Sequence, residues 1–297
     1  MKRVGVVVVL YHPDRNVLKL ALESLSKQVD VITIVENSSD DNSSLVGEFA
    51  NAIYIPLHQN KGIAYAQNVG IKKMMYDCDY IGFSDQDSIA PNDVFRKLVD
   101  AHIELKAEGV KVGALGTRNI NRQTGMPYTN KTIEMSLVAS SLDKFTNKYT
   151  ECLSVSSSIS IISTLTLREV GLMDESLFID GVDDEWCWRS LFYGAYRTFI
   201  VENAQISHML GVGDRKILGK YRSITSPARL YYQYRNFIWL SKRDYTPSFW
   251  VKKNLVKYTI KLIYYPLFVA PRLVCLKNIM RGIIDGLFTK PLITDKT

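Results

Sequence analysis

Tyr80-Ile81-Gly82-Phe83-Ser84-Asp85-Gln86-Asp87-Ser88 is an apolar run that stops on two carboxylates. In an extended backbone residues two apart point the same way, so Asp85 and Asp87 can converge on one hard cation. Mg²⁺ or Mn²⁺ favours carboxylate oxygen and keeps positions open for phosphate oxygens, which suits a bridge to a nucleotide diphosphate. A simpler reading is that Asp87 and Ser88 cap a helix opening near Pro91.

Working outward, residues 3–10, 31–36, 52–56 and 80–85 read as short β-branched strands, and 16–28, 63–76 and 91–106 carry helical patterns. This alternation predicts an α/β fold with a mostly parallel central sheet flanked by helices. Ligands in that architecture bind outside the carboxyl ends of the strands. Tyr11-His12, Glu36-Asn37-Ser38 and Asp85-Gln86-Asp87 all stand at such exits. Further on, 111–117 and 154–160 read as strands, 118–150 as a polar, irregular loop region, 182–193 as a helix, and 196–202 and 205–209 as two short strands. From Pro227 onward the pattern is helical. There is no internal repeat and no low-complexity tract.

A chain of 297 residues, 46% hydrophobic and 23% charged, can bury a core without disulfides or a structural metal. Cys78, Cys152, Cys187 and Cys275 form no C-x-x-C pair, which argues against a zinc site and points to a reducing, cytosolic compartment. The amino-terminal apolar run is short, β-branched and ends in His12-Pro13-Asp14 without a cleavage site, so it reads as a buried strand rather than a signal peptide. The net charge of +7 is concentrated at the end: residues 241–297 hold eleven basic and three acidic side chains, leaving twenty-six basic and twenty-seven acidic before them. A nucleic-acid-binding body is therefore not expected. Residues 262–271 are apolar, but too few to span a bilayer, which takes about 20. Lys252, Lys253, Lys257 and Lys261 alternate with Phe249, Trp250, Leu255, Tyr258 and Ile260, the composition of an amphipathic helix lying on an anionic leaflet. The alternative is a soluble helical cap packed on the body of the protein.

The order of the first strand, the Glu36-Asn37-Ser38-Ser39-Asp40 exit, the stretch Asn60-Lys61-Gly62-Ile63-Ala64-Tyr65-Ala66-Gln67-Asn68-Val69-Gly70 and then the D-x-D resembles family 2 glycosyltransferases of the GT-A (nucleotide-diphospho-sugar transferase) fold over roughly residues 3 to 240. Within that family, Asp85-Gln86-Asp87-Ser88, the segment from Phe178 through Asp180, Asp183 and Glu185 to Arg189, and Tyr231-Tyr232-Gln233-Tyr234-Arg235-Asn236 look most like the bacterial rhamnosyltransferases of O-antigen (lipopolysaccharide) and capsule assembly. Two positions depart from the pattern: Glu36 replaces the more usual Asp, and Ser156, Ser157 and Ser158 replace a Gly-containing segment.

The resemblance implies an inverting transfer of L-rhamnose from dTDP-β-L-rhamnose to a lipid-linked glycan, with a divalent metal. UDP-hexose remains an alternative donor, and a sugar nucleotidyltransferase or a non-catalytic sugar-nucleotide-binding membrane protein are the alternative classes. It implies Asp183 as the base that takes the acceptor proton, Asp180 as the second candidate, and Glu185 orienting acceptor hydroxyls. Asp85, Asp87 and His208 are the implied metal ligands. The implied donor contacts are the backbone at Leu10, Tyr11 and His12, then Glu36 on the base, Asn37, Asn60, Gly62, Asn68, Gln86 and Arg235. Competing readings stay open: Asn60 as a helix cap, Arg235 as an aromatic packing residue, and Glu185 with Arg189 as an i, i+4 pair. The expected organisation is a catalytic unit over 1–225, with a donor half to about 117 and an acceptor half over 118–225, then a basic helical region over 226–297. The expected location is the inner face of the bacterial cytoplasmic membrane.

Overall fold

The computed structural model describes residues 2–121, 147–208, 214–217 and 220–291. Most of the loop region expected over 118–150 lies outside them. Eight strands form one sheet in the order β3-β2-β1-β4-β7-β5-β8-β6. Strands β1 (Val4–Leu10), β2 (Val31–Glu36), β3 (Ala52–Pro56) and β4 (Tyr80–Asp85) run parallel. Val6, Val8, Leu10, Ile32 and Ile34 are fully buried, as helices on both faces require.

The helices of this half are α1 (Arg15–Ser26), the short α2 (Ser43–Val46), α3 (Ile63–Met74) and α4 (Val94–Ala107). Helix α1 opens where the Asp14 carboxylate accepts from the Asn16 and Val17 amides, and it buries Leu18, Ala21, Leu22 and Leu25 at helical spacing. Helix α4 begins at Val94, three residues later than the sequence suggested, because Asp93 turns left-handed (φ 63°). Asp87 is too far from that start to cap it, so the capping alternative for the D-x-D does not hold.

Beyond β4 the sheet becomes mixed. Strand β5 (Val112–Asn121) pairs in parallel with β8 (Arg197–His208), whereas β7 (Ser160–Ser163) is antiparallel to both β4 and β5, and β6 (Tyr149–Cys152) is antiparallel to β8. The strand expected over 154–160 is thus displaced to 160–163. The serine run before it spends its polar groups on the site described below instead of on a ladder. The two strands expected over 196–209 are one strand with a register shift; residue 209 lies outside the described residues. Two helices follow β7: α5 (Thr164–Val170) and, after a 3-10 turn at Glu175–Leu177, α6 (Val182–Gly194). A separate antiparallel pair, β9 (Asp214–Ile217) and β10 (Lys220–Ser223), precedes the last helices.

Helices α7 (Pro227–Ser241), α8 (Ser248–Phe268) and α9 (Arg272–Phe288) close the chain. Leu230, Tyr234, Phe237, Tyr258, Tyr265, Cys275 and Ile279 give them a core of their own, while Trp239 and Leu240 of α7 join the core shared by α3 and α6. The four cysteines are free and buried. Among the described residues no helix is long and apolar enough to cross a membrane.

Helix α3 lies so close on β1 that a Cβ on Gly70 would stand 2.6 and 2.7 Å from the two Val7 methyls. Gly70→Ala should therefore lower the stability by about 1–3 kcal/mol through overpacking, read as an earlier midpoint in urea unfolding, and an unchanged midpoint would refute this close contact.

Candidate active site

Three strand exits meet at one edge of the sheet. Between β1 and β4, Gln86 clasps the backbone of Tyr11: the Tyr11 amide donates to Gln86 Oε1 at 2.8 Å and Gln86 Nε2 donates to the Tyr11 carbonyl at 3.3 Å. Between β1 and β2, the Asn37 amide donates to the Leu10 carbonyl at 2.8 Å. Tyr11 is half exposed and its ring meets that of His12 at 4.5 Å; His12 takes a left-handed φ of 47° and its Nδ1 lies 2.9 Å from Asp40 Oδ2. Flanking Gln86 in the chain, Asp85 is half-buried and Asp87 is exposed.

Asn37 and Asn60 shape the next wall. Asn37 donates to Asn60 Oδ1 at 3.1 Å and accepts from the Lys61 amide at 2.8 Å, and Asn60 Oδ1 also accepts from the Gly62 amide at 2.9 Å. Gly62 has φ 89°, and any Cβ there would collide with the ring and carbonyl of Phe178 at 2.6–2.7 Å. The glycine thus serves close packing between the start of α3 and the segment before α6.

Asp183 sits in the first turn of α6, where the helix dipole favours negative charge. Its Oδ2 accepts from the Ser157 amide at 3.1 Å, and Asp184 Oδ1 accepts from the Ser154 hydroxyl at 2.5 Å. Burial pushes the Asp183 carboxyl up to about 7; the Ser157 amide opposes this, and the charges of Asp184 and Asp85 add to it. The charge of Asp85 is therefore felt at Asp183. Asp183 also lines a cavity of about 400 Å³, together with the end of β5, the serine run, Asp184 and helix α8.

Several residues expected to touch ligand are instead turned into the protein. Glu36 is fully buried, its two oxygens accepting from the Ser38 hydroxyl (2.6 Å) and the Asn42 amide (2.7 Å). Asn68 is buried and clamps Met173 through both backbone groups at 2.9 Å. Glu185 is 1% exposed and pairs with Arg189 at 2.8 Å, Arg243 at 3.1 Å and the Tyr245 hydroxyl at 2.7 Å. Arg235 donates to the carbonyls of Ser176 (2.7 Å) and Leu177 (3.0 Å) and stacks on Trp239 and Tyr232. Glu36, Asn68, Glu185 and Arg235 thus each have buried polar partners within the protein. Asp180 lies at the surface of the same segment with both oxygens held by Arg229 at 2.8–3.1 Å. His208 ends β8, paired in register with Asn121, and its side chain is outside the described residues.

Sequence reasoning missed Asn236. Its amide donates to the carbonyls of Leu177 (2.8 Å), Ile179 (2.7 Å) and Asp180 (2.9 Å), pinning a turn in which Phe178 and Asp180 are left-handed. The signal was there: an Arg-Asn pair inside an aromatic helix is poor packing unless it serves backbone groups elsewhere. Lys253 and Lys257 of α8, assigned from sequence to a membrane face, line the cavity, as does Asn254.

For a metal, Asp85 and Asp87 offer the hard oxygen donors that Mg²⁺ or Mn²⁺ takes, and Mg²⁺ is typically held by one or two carboxylates plus substrate phosphates. Among the described residues no three His, Cys, Asp or Glu side chains gather as a cage. The two carboxylates fit a cation shared with a diphosphate better than a resident structural ion.

Comparison with known proteins follows the same line. The model of the family described as "Glycosyl transferase family 2" matches residues 6–160. A protein of Shigella flexneri named dTDP-rhamnosyl transferase RfbF is 29% identical over 287 residues, covering 95% of this chain and 94% of its own. A solved structure described as GalNAc-T7 with UDP, GalNAc and Mn²⁺ superposes with a TM-score of 0.56 at 13% identity, a likeness of fold alone; it covers 96% of this chain, which spans only 56% of that one.

A raised folded-state value means that Asp183 keeps its proton longer when folded than when unfolded. Its contribution to stability is full below about pH 4 and is lost as pH rises through about 7. In protein free of metal and donor, Asp183→Asn should match the wild type near pH 4 and exceed it by about 2–4 kcal/mol at pH 8. Urea unfolding at the two pH values measures this; a difference independent of pH would contradict the burial of this carboxyl.

Proposed function

Because the chain belongs to glycosyl transferase family 2, a family of glycosyltransferases, we propose that it transfers L-rhamnose, with inversion, from dTDP-β-L-rhamnose to a lipid-linked glycan in bacterial surface polysaccharide assembly. The named relative supports the donor. The observation that carries the chemistry is Asp183 itself: within electrostatic reach of Asp85, hydrogen-bonded by the Ser157 amide, and lining a cavity of about 400 Å³.

In this reading the donor diphosphate lies over Asp85 and Asp87, with the base against Tyr11 and His12. Asp85 and Asp87 would hold a divalent cation there, whose charge would offset that of the departing dTDP. Asp183 accepts the proton of the acceptor hydroxyl on the face opposite the leaving group, as inversion demands. A carboxyl with a value near 7 is well matched to that task at neutral pH. Asp180, occupied by Arg229, is the weaker base candidate. Residues 1–225 then form the catalytic unit, and 226–297 form a helical unit that both walls the acceptor side and rests on the inner face of the cytoplasmic membrane. Support for the last point is the row Val256, Ile260, Ile263 and Leu267 on α8, each more than half exposed, and Leu273, Leu276, Met280, Ile284 and Leu287 on α9, in a segment rich in lysine and arginine.

Purified protein incubated with a panel of dTDP- and UDP-sugars, with and without EDTA, tests the reading: dTDP-rhamnose should be the preferred donor and EDTA should abolish its turnover. Preference for a UDP-hexose would overturn the donor assignment. Asp183→Asn should lower turnover by roughly 10²–10⁴ with donor binding nearly intact, and near-normal turnover would remove Asp183 as the base. Ile260→Glu with Ile263→Glu should release the protein from anionic liposomes in sedimentation; retained binding would mean that the helices only cap the domain.

A further inference from the structure

The ladder between β4 and β7 ends at the pair Phe83–Ser160. Past it the two segments are joined in another way: the hydroxyls of Ser88 and Ser158 meet at 2.9 Å, and both residues are buried. Each serine adjoins one half of the candidate chemistry. The Ser88 amide donates to the Asp85 carbonyl at 3.2 Å, closing the turn that carries Gln86 and Asp87. Ser158 follows Ser157, whose amide donates to Asp183 Oδ2 at 3.1 Å, and the Ser158 amide donates to Ser156 Oγ at 3.3 Å. One buried hydroxyl bond thus links the D-x-D turn to the loop that holds the Asp183 carboxylate.

That loop is kept in place against its own preference. Ile159 is fully buried with φ 55°, a conformation that a β-branched residue adopts only where its surroundings enforce it. On one side of it Ser160 is in the ladder, and on the other Ser158 is fixed by Ser88. Asp183 also adjoins a small space walled mainly by apolar side chains, Phe83, Ala114, Ile162, Met173 and Trp186 among them. Apolar neighbours set no direction for a carboxylate, whereas an amide donor does.

We propose that Ser88 and Ser158 are positioning residues: their bond holds the Asp183 carboxylate at a fixed offset from the Asp85–Asp87 turn, so that the acceptor hydroxyl loses its proton in line with the departing diphosphate. This deepens the glycosyl-transfer reading and rests on it. A reacting group misplaced by about 1 Å can cost about 10²-fold in rate. The competing arrangement is a pair of buried hydroxyls that merely satisfy one another.

Hydrolysis of dTDP-rhamnose, or of whichever sugar nucleotide of the panel is turned over, by the full chain in Mg²⁺ tests this, with water in place of the acceptor. Ser88→Ala and Ser158→Ala should each lower kcat by about 10–100-fold, while the product nucleotide, titrated by calorimetry, keeps its affinity within about twofold. Each single variant orphans one buried hydroxyl and should melt earlier; the double variant removes both and should regain much of the midpoint without regaining kcat. In Asp183→Asn, followed with labelled donor, Ser158→Ala should lower the residual kcat no further. Unchanged kcat in the single variants, a kcat that recovers with the midpoint in the double variant, a loss of nucleotide affinity as large as the loss of kcat, or an undiminished effect in Asp183→Asn would each overturn the proposal. Turnover by the wild type with unaffected variants removes the positioning role and leaves glycosyl transfer standing, whereas no turnover of any donor by the wild type removes both.

Discussion

The geometry of this molecule depends on two adjacent side chains of α7 that hold the backbone from Ser176 to Asp180. Arg235 and Asn236 together supply hydrogen bonds to the carbonyls of Ser176, Leu177, Ile179 and Asp180. They stabilise a segment in which two non-glycine residues, Phe178 and Asp180, adopt left-handed conformations that are costly unless the surroundings enforce them. Three features follow from that turn. It launches α6 with Asp183 in its first turn, it presents the Phe178 carbonyl to the Ile63 amide and its ring to Gly62, and it ties α7 to the starts of α3 and α6.

The electrostatics of the site are a contest decided by burial. A helix start, a backbone amide from Ser157 and a nearby hydroxyl all favour an ionised Asp183, yet desolvation and two neighbouring carboxylates outweigh them. The serine run explains how the balance is tuned. Had residues 154–160 formed a strand, the Ser157 amide could have been spent along a ladder; in the loop it meets Asp183, and the Ser154 hydroxyl meets Asp184.

Much of the amino-terminal half was legible because its code is local. Buried parallel strands read as β-branched runs, and ligand-facing residues follow their exits; β2, β3 and β4 begin and end where the residues suggested. The remainder was hidden for a common physical reason. A polar residue in a motif looks the same in sequence whether it faces a ligand or a buried carbonyl. Glu36, Asn68, Glu185 and Arg235 all face inward, and only their long-range partners, such as Met173 for Asn68 or Ser176 for Arg235, reveal it. The antiparallel β7 was equally opaque, since an inserted strand is set by pairing with β4 and β5 rather than by its own four residues.

Helix α8 shows how one amphipathic pattern can carry two meanings. At 3.6 residues per turn, Trp250, Lys253, Asn254 and Lys257 lie along one line and Val256, Ile260, Ile263 and Leu267 along another, roughly a quarter turn away. The first line walls the cavity beside Asp183 and Asp184; the second is exposed and apolar. Sequence periodicity merges them into one basic, apolar helix and so assigns every lysine to a surface. Separated, they put the cavity-lining residues and the exposed apolar row on neighbouring faces of a single helix, a division that residue spacing reveals only once the partners of each face are known.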